Sequence, residues 1–204
     1  MKQSTRRNEM KLAIVKYNAG NIQSVLFALE RIGVEGQVTD DPDLLRSADK
    51  VIFPGVGEAR SAMQYLRGRG LDQVIRQLKQ PVLGICLGMQ LLCRHSEEND
   101  TECLGLIPVS VRKFPAHAGL KIPQIGWNDI YELDSALFAG IPEHSWVYHV
   151  HGYYAEDSAY TIARCNYGLA YAAAIRRDNF FGLQFHTEKS AAIGEQILTN
   201  FLRL

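Results

Sequence analysis

No stretch of this chain comes near the ~20 consecutive apolar residues that a membrane span needs. Its charges cancel as well: 22 Lys and Arg stand against 22 Asp and Glu, for a formal net charge of +0. That balance gives no reason to expect nucleic acid or an anionic membrane as a partner. Cysteine is sparse, at Cys86, Cys93, Cys103 and Cys165, with no C-x-x-C pair and no zinc spacing, so no metal site is expected. Internal repeats, low-complexity tracts and linkers are missing too. A single domain is therefore expected over residues 10–204, preceded by a disordered extension at residues 1–9. Met1 to Met10 is polar and basic, without the apolar segment of a secretory leader. The expected compartment is reducing and cytoplasmic, with free thiols.

What the chain does have is Pro81-Val82-Leu83-Gly84-Ile85-Cys86-Leu87-Gly88-Met89-Gln90-Leu91-Leu92. Val82 to Ile85 is an apolar run suited to a buried strand, and Leu87 to Arg94 is rich in helix formers. Gly84-x-Cys86-x-Gly88 lies between them, the spacing of a strand-to-helix elbow that presents a nucleophile on a sharp turn. A sulfur at a helix N-terminus is favoured as thiolate by unpaired N–H groups and the helix dipole. The alternative is a buried structural cysteine beside a tight turn.

Upstream, Leu12-Ala13-Ile14-Val15, Gln37-Val38-Thr39 and Lys50-Val51-Ile52-Phe53 read as strands, separated by helical patterns at Ile22 to Ile32 and around Leu44-Leu45. Strand, helix, strand, helix, strand implies an α/β fold with a doubly wound, mostly parallel sheet. Pro54-Gly55-Val56-Gly57 leaves the carboxyl end of the third strand, the edge where such sheets collect ligands. It is neither a dinucleotide motif nor a P-loop, because Arg60 stands where a third Gly is needed and no Gly-Lys-Ser/Thr follows. Ala59 to Leu66 and Leu71 to Leu78 read as helices, and His95 to Asp100 as a polar surface loop with His95 at a helix end. Beyond Leu106, strand-like runs alternate with Pro and Gly, so the C-terminal half should add antiparallel strands, closed by a helix from Ser190 to Leu204.

A cysteine nucleophile needs a base and a group that orients the base. His186 and Glu188, two apart in extended chain, would point to the same side. His149 and His151 share a strand face and compete for the base role.

These residues carry a resemblance. Gly84 to Leu92 together with Gln184-Phe185-His186-x-Glu188 resembles the class I (triad) glutamine amidotransferases. Pro54-Gly55-Val56-Gly57, the Asn21 turn, Gly126-Trp127-Asn128, Val150-His151-x-Tyr153-Tyr154 and Glu188-Lys189-Ser190 resemble, among them, the glutaminase subunits of imidazole glycerol phosphate synthase. The likeness runs from Leu12 to the C-terminus. It implies that Cys86 attacks the side-chain amide of L-glutamine, that His186 transfers protons and that Glu188 orients His186. It implies backbone oxyanion donors at Leu87 and Gly57 and substrate contacts at Gly55, Gln90, Gly152 and Tyr153. It also implies a heterodimer with a (β/α)8-barrel cyclase, with Asn21, Tyr148 and Lys189 facing that partner. No cofactor is implied. Rival readings are another class I subunit, of the anthranilate, GMP or pyridoxal phosphate type, a Cys-elbow peptidase or chaperone of similar fold, and a degenerate scaffold. Against the family pattern, Lys16 replaces an Asp, Gly152 a Ser and Thr187 a Pro. Thr187, β-branched, is expected to keep the backbone extended between His186 and Glu188. Gly55 and Gly57 make the peptides of their loop easy to rotate, so the oxyanion hole is expected to be incomplete until a partner docks.

Overall fold

Four short strands that are apolar on both faces form the centre of the computed structural model, which describes residues 10–18, 21–116 and 119–204. The extension expected at residues 1–9 and part of the first turn, residues 19–20, lie outside the described residues. The elements are β1 (Leu12–Val15), α1 (Ile22–Arg31), β2 (Gln37–Thr39), α2 (Pro42–Ser47), β3 (Lys50–Phe53), α3 (Ala59–Gly68), α4 (Leu71–Gln77), β4 (Val82–Ile85) and α5 (Leu87–Leu92). There follow β5 (His95–Ser96), β6 (Thr101–Glu102), β7 (Ser110–Lys113), β8 (Gln124–Ile130), β9 (Ser145–His151), β10 (Tyr153–Ala155), β11 (Thr161–Asn166), β12 (Ala170–Arg177), β13 (Phe180–Leu183) and α6 (Ala191–Arg203).

Two helices start at side-chain caps that their sequences carry. Asp41 caps α2 by accepting from the Asp43 and Leu44 N–H groups, with Pro42 at the first turn. Glu58 caps α3 in the same way through Arg60 and Ser61. Gly33, at φ 74°, stops α1.

The main sheet runs β2-β1-β3-β4-β13-β12-β10-β7-β5-β6, with β11 on β12. β1, β3, β4 and β13 are wholly buried. Each large aliphatic side chain there stabilises by roughly 1.5–3 kcal/mol. The last strand in sequence, β13, lies parallel beside β4, with Leu183 opposite Ile85. Two segments about a hundred residues apart in sequence therefore leave neighbouring strands at the same sheet edge: the elbow after β4 and the His186 segment after β13. This placement builds the site.

Two local expectations are corrected. His95 is not a helix end, and His95 to Asp100 is not an open loop: β5 and β6 pair as a hairpin, with His95 Nε2 2.8 Å from Asp100 Oδ1. Helix α5 ends at Leu92, short of Arg94, because the chain turns directly into that hairpin. β8 and β9 leave the main sheet as a separate antiparallel ribbon, with Trp127 opposite Tyr148. No helix among the described residues is long and apolar enough to cross a membrane.

Candidate active site

Cys86 sits at the junction of β4 and α5 with φ 53° and ψ −111°, a strained conformation for a residue with a Cβ. Both flanking glycines are required by packing. A Cβ on Gly88 would lie 1.8 Å from the Phe53 carbonyl oxygen, and one on Gly84 would lie 2.8 Å from the Gly88 carbonyl carbon. The Cys86 N–H is tied to Leu183 at 2.7 Å, which locks the elbow to β13. The sulfur opens into a cavity of about 300 Å³ lined by Val56, Gly57, Gln90, Glu98, Gly152 and Tyr153, with His186 on its wall.

His186 Nδ1 lies 2.7 Å from Glu188 Oε1, both side chains only 3% exposed. The pair does not form across extended chain, as expected from sequence. Thr187–Lys189 is a 3-10 turn that His186 caps, so Thr187 is not extended, and the turn swings the carboxylate back onto the ring. Asn21, the residue just before α1, supports Glu188, with Nδ2 3.4 Å from Oε1. Burial by itself would push the His186 pKa down. The Cys86 and Glu188 side chains outweigh it and raise the pKa to about 10, so the imidazolium lies between an acid on each side.

The competing histidines stand among different neighbours. His149 Nδ1 is 3.2 Å from His151 Nε2, His151 Nδ1 is 2.8 Å from the Tyr153 carbonyl, and Tyr171 closes the cluster. Burial, then mutual repulsion and His186, push His149 well down. Burial is also the main cause that takes His151 down to about 4. Both rings are neutral at pH 7. Among the other thiols, burial raises Cys103 to about 12 and Cys165 to about 11, and it raises Cys93 further. They are inert.

The oxyanion donors named from sequence are not both free in this conformation. The Leu87 N–H donates to the Gly55 carbonyl at 3.2 Å. The peptide that must rotate to release it is Gly55–Val56, which carries the Val56 N–H; Gly57 is one residue further on, in the cavity wall. Gly55 has to be glycine: a Cβ there would lie 2.3 Å from the Tyr17 hydroxyl. Gly152 and Tyr153 line the cavity as expected. Gln90 spends its NH2 on the Tyr153 carbonyl at 3.1 Å and on Gln184 Oε1 at 3.0 Å, which leaves its own carbonyl oxygen for a ligand. Tyr148 is half-buried under Lys189, whose Nζ stands 5.7 Å from its ring centre, on the ribbon side of the cavity. Asn21, by contrast, reaches inward to Glu188.

Two contributors escaped the sequence reading. Glu98 lines the cavity from the β5–β6 turn and accepts from the Ala59 N–H at 2.8 Å; nothing in a run of polar residues separates it from Glu97. Gln184 is fully buried, with Nε2 3.8 Å from the Cys86 sulfur. Its signal was available, because Gln184 directly follows β13 and stands two residues before His186.

Residues 3–204 match the family model described as glutamine amidotransferase class-I. The imidazole glycerol phosphate synthase subunit HisH of Bacteroides thetaiotaomicron is 52% identical over 196 residues, 96% of this chain and 100% of that protein. The HisH subunit of Shewanella loihica is 46% identical over 94% of this chain and 89% of its own length. The solved structure of PurLQS from Thermotoga maritima superposes with a TM-score of 0.68 at 19% identity, covering 96% of this chain and 98% of that one, a likeness of fold. With the family model matched over nearly the whole sequence and relatives about half identical along it, the chain belongs to the class I glutamine amidotransferases and, within them, to the HisH subunits of imidazole glycerol phosphate synthase.

Proposed function

We propose that this chain hydrolyses L-glutamine with Cys86, His186 and Glu188 and hands the ammonia to a (β/α)8-barrel cyclase. There it would be used to make imidazole glycerol phosphate and an aminoimidazole carboxamide ribotide in histidine biosynthesis. The observation that supports this best is the buried 2.7 Å His186–Glu188 contact beside an elbow cysteine in one cavity. The Cys86 thiolate attacks the side-chain carbonyl carbon, and the tetrahedral intermediate expels ammonia as His186 gives up its proton. Water then adds to the thioester carbon while His186 takes a proton back. The C–S bond breaks and its electron pair returns to sulfur. Glu98 is positioned for the substrate's α-ammonium, since burial raises its pKa but the Ala59 N–H holds its charge.

The cyclase is proposed to dock on the β8–β9 ribbon. Ile125, Trp127 and Trp146 are 57%, 49% and 58% exposed, an apolar face continuous with Tyr148, Lys189 and the cavity mouth. Docking would make a heterodimer in the cytoplasm, and a closed path suits the chemistry, because free ammonia at neutral pH is mostly non-nucleophilic ammonium. Docking also has a switch to act on. Rotating the Gly55–Val56 peptide would free the Leu87 N–H and turn the Val56 N–H toward the oxyanion. One missing donor costs roughly 10²–10³ in turnover. Glutamine turnover should therefore rise by at least that order when cyclase and its nucleotide are added. Full turnover by the subunit alone would remove the switch. A glutamine-mimicking alkylator should label Cys86 and spare Cys93, Cys103 and Cys165, as peptide mass mapping would show; even labelling of all of them would sink the nucleophile assignment.

A further inference from the structure

The Cys86 sulfur lies between two groups that prefer different protonation states. The Val150 carbonyl oxygen, 3.7 Å away, can only accept, so it favours the thiol. Gln184 Nε2, 3.8 Å away on a side chain with no exposure, can only donate, so it favours the thiolate. The direction of the Gln184 amide is set by neighbours and does not rest on an arbitrary choice of N over O. The Tyr153 carbonyl can only accept, and it accepts from His151 Nδ1 at 2.8 Å and from Gln90 Nε2 at 3.1 Å. That turns the NH2 of Gln90 inward, and its second hydrogen goes to Gln184 Oε1 at 3.0 Å. With its oxygen so held, Gln184 can only present NH2 to the sulfur. Without the sulfur, that NH2 would be a buried donor with no partner.

We propose that Gln184 is a catalytic residue that stabilises the Cys86 thiolate through Nε2, and that Gln90 is the positioning residue that fixes the direction of the Gln184 amide. The proposal rests on the reading of Cys86 as the nucleophile. Its effect falls on the second half of the reaction as much as on the first. When the thioester is hydrolysed, the C–S electron pair returns to sulfur, and the Gln184 N–H is already aimed at the charge that develops there.

The test is the pH dependence of Cys86 alkylation by iodoacetamide, a small neutral probe that needs no glutamine site, followed by peptide mass mapping of the whole chain. Gln184→Leu removes the donor. It should move the pH of half-maximal alkylation up by about one unit, equivalent to ~10-fold slower labelling on the acid side. Gln184→Glu keeps the shape but adds a like charge, and should move it further. A reading on the unaltered chain guards against misfolded variants. With 15N-glutamine incorporated, the Gln184 side-chain NH2 resonance should shift with pH in step with the alkylation curve. Cys86 labelled at the wild-type pH in both variants, or a Gln184 resonance that ignores the titration, would overturn this proposal alone. Labelling that bypasses Cys86 for the other cysteines would overturn it together with the nucleophile assignment.

Discussion

His186 and the pair His149 and His151 are buried to similar depth, at 2% against 0% and 5% exposure, yet they take opposite charge states. His186 is raised to about 10, while His151 is lowered to about 4 and His149 is lowered as well. Burial pushes all three the same way. The neighbours make the difference: His186 faces a carboxylate and a sulfur, whereas the other two face each other, a phenol and a carbonyl. A buried histidine is thus made a proton carrier or a neutral strut by what faces it. His-x-Glu and His-x-His, similar as strings, part company there.

The sharpest way to break this contrast is to remove one ring from each group. His186→Asn should lower glutamine turnover in the cyclase complex by on the order of 10⁴–10⁶, as expected when a member of a catalytic unit is lost. His151→Gln, which can still donate to the Tyr153 carbonyl, should keep most of the turnover. Equal losses would mean that the neutral pair takes part in proton transfer and that the division is wrong.

Stability against pH tests the same contrast without catalysis. His151 has a folded pKa below its unfolded value of about 6.5. The unfolded chain therefore binds more protons between pH 6.5 and 4, and stability falls as pH falls through that window. For His151 alone this amounts to roughly 3 kcal/mol, at about 1.4 kcal/mol per unit. His186 has the opposite sign. Its contribution is complete below about pH 6.5 and is lost as pH rises toward about 10. Urea midpoints measured from pH 4 to 10 should fall on both sides of neutrality. His151→Gln should flatten the acid limb and His186→Asn the alkaline limb. Should His151→Gln leave the acid limb unchanged, the ring is not held neutral by the fold.

Much of this was legible in the sequence because local rules and fold agree there. The runs at Leu12, Lys50 and Val82 became central strands, and Gly84-x-Cys86-x-Gly88 became an elbow whose glycines touch backbone. What stayed hidden depends on long-range placement. That β13 lies beside β4 cannot be read from either strand's own residues, and it is what brings His186 to Cys86. Glu98 enters the cavity only because a hairpin of two-residue strands packs on α3. The Gly55–Leu87 hydrogen bond, which occupies the Leu87 N–H, joins two segments more than thirty residues apart and cannot be read from either. Thr187 departs from the extended backbone expected of it because β-branching is a weak preference, overridden by the turn that brings Glu188 onto His186.

Thr187 offers the finest test, since it links His186 to Glu188. Its hydroxyl is buried without a partner, and it opens the 3-10 turn, a first-turn position that proline accepts. The residue before it, His186, has φ −89° and ψ 104°, extended and outside the α region that a following proline disfavours, so a small rise in ψ admits the ring. Thr187→Pro should therefore stabilise the chain by about 0.4–1 kcal/mol through lost freedom in the unfolded state, with a further gain from deleting the unpaired hydroxyl. Thr187→Val deletes the hydroxyl without the ring and reports the second part alone. Neither substitution touches the 2.7 Å His186–Glu188 contact, so turnover and its pH profile should stay at the wild-type level. Urea midpoints of the three chains give the split. Destabilisation by both variants would show that Thr187 Oγ1 is satisfied in solution and that the turn, and with it the hold on His186, is built differently.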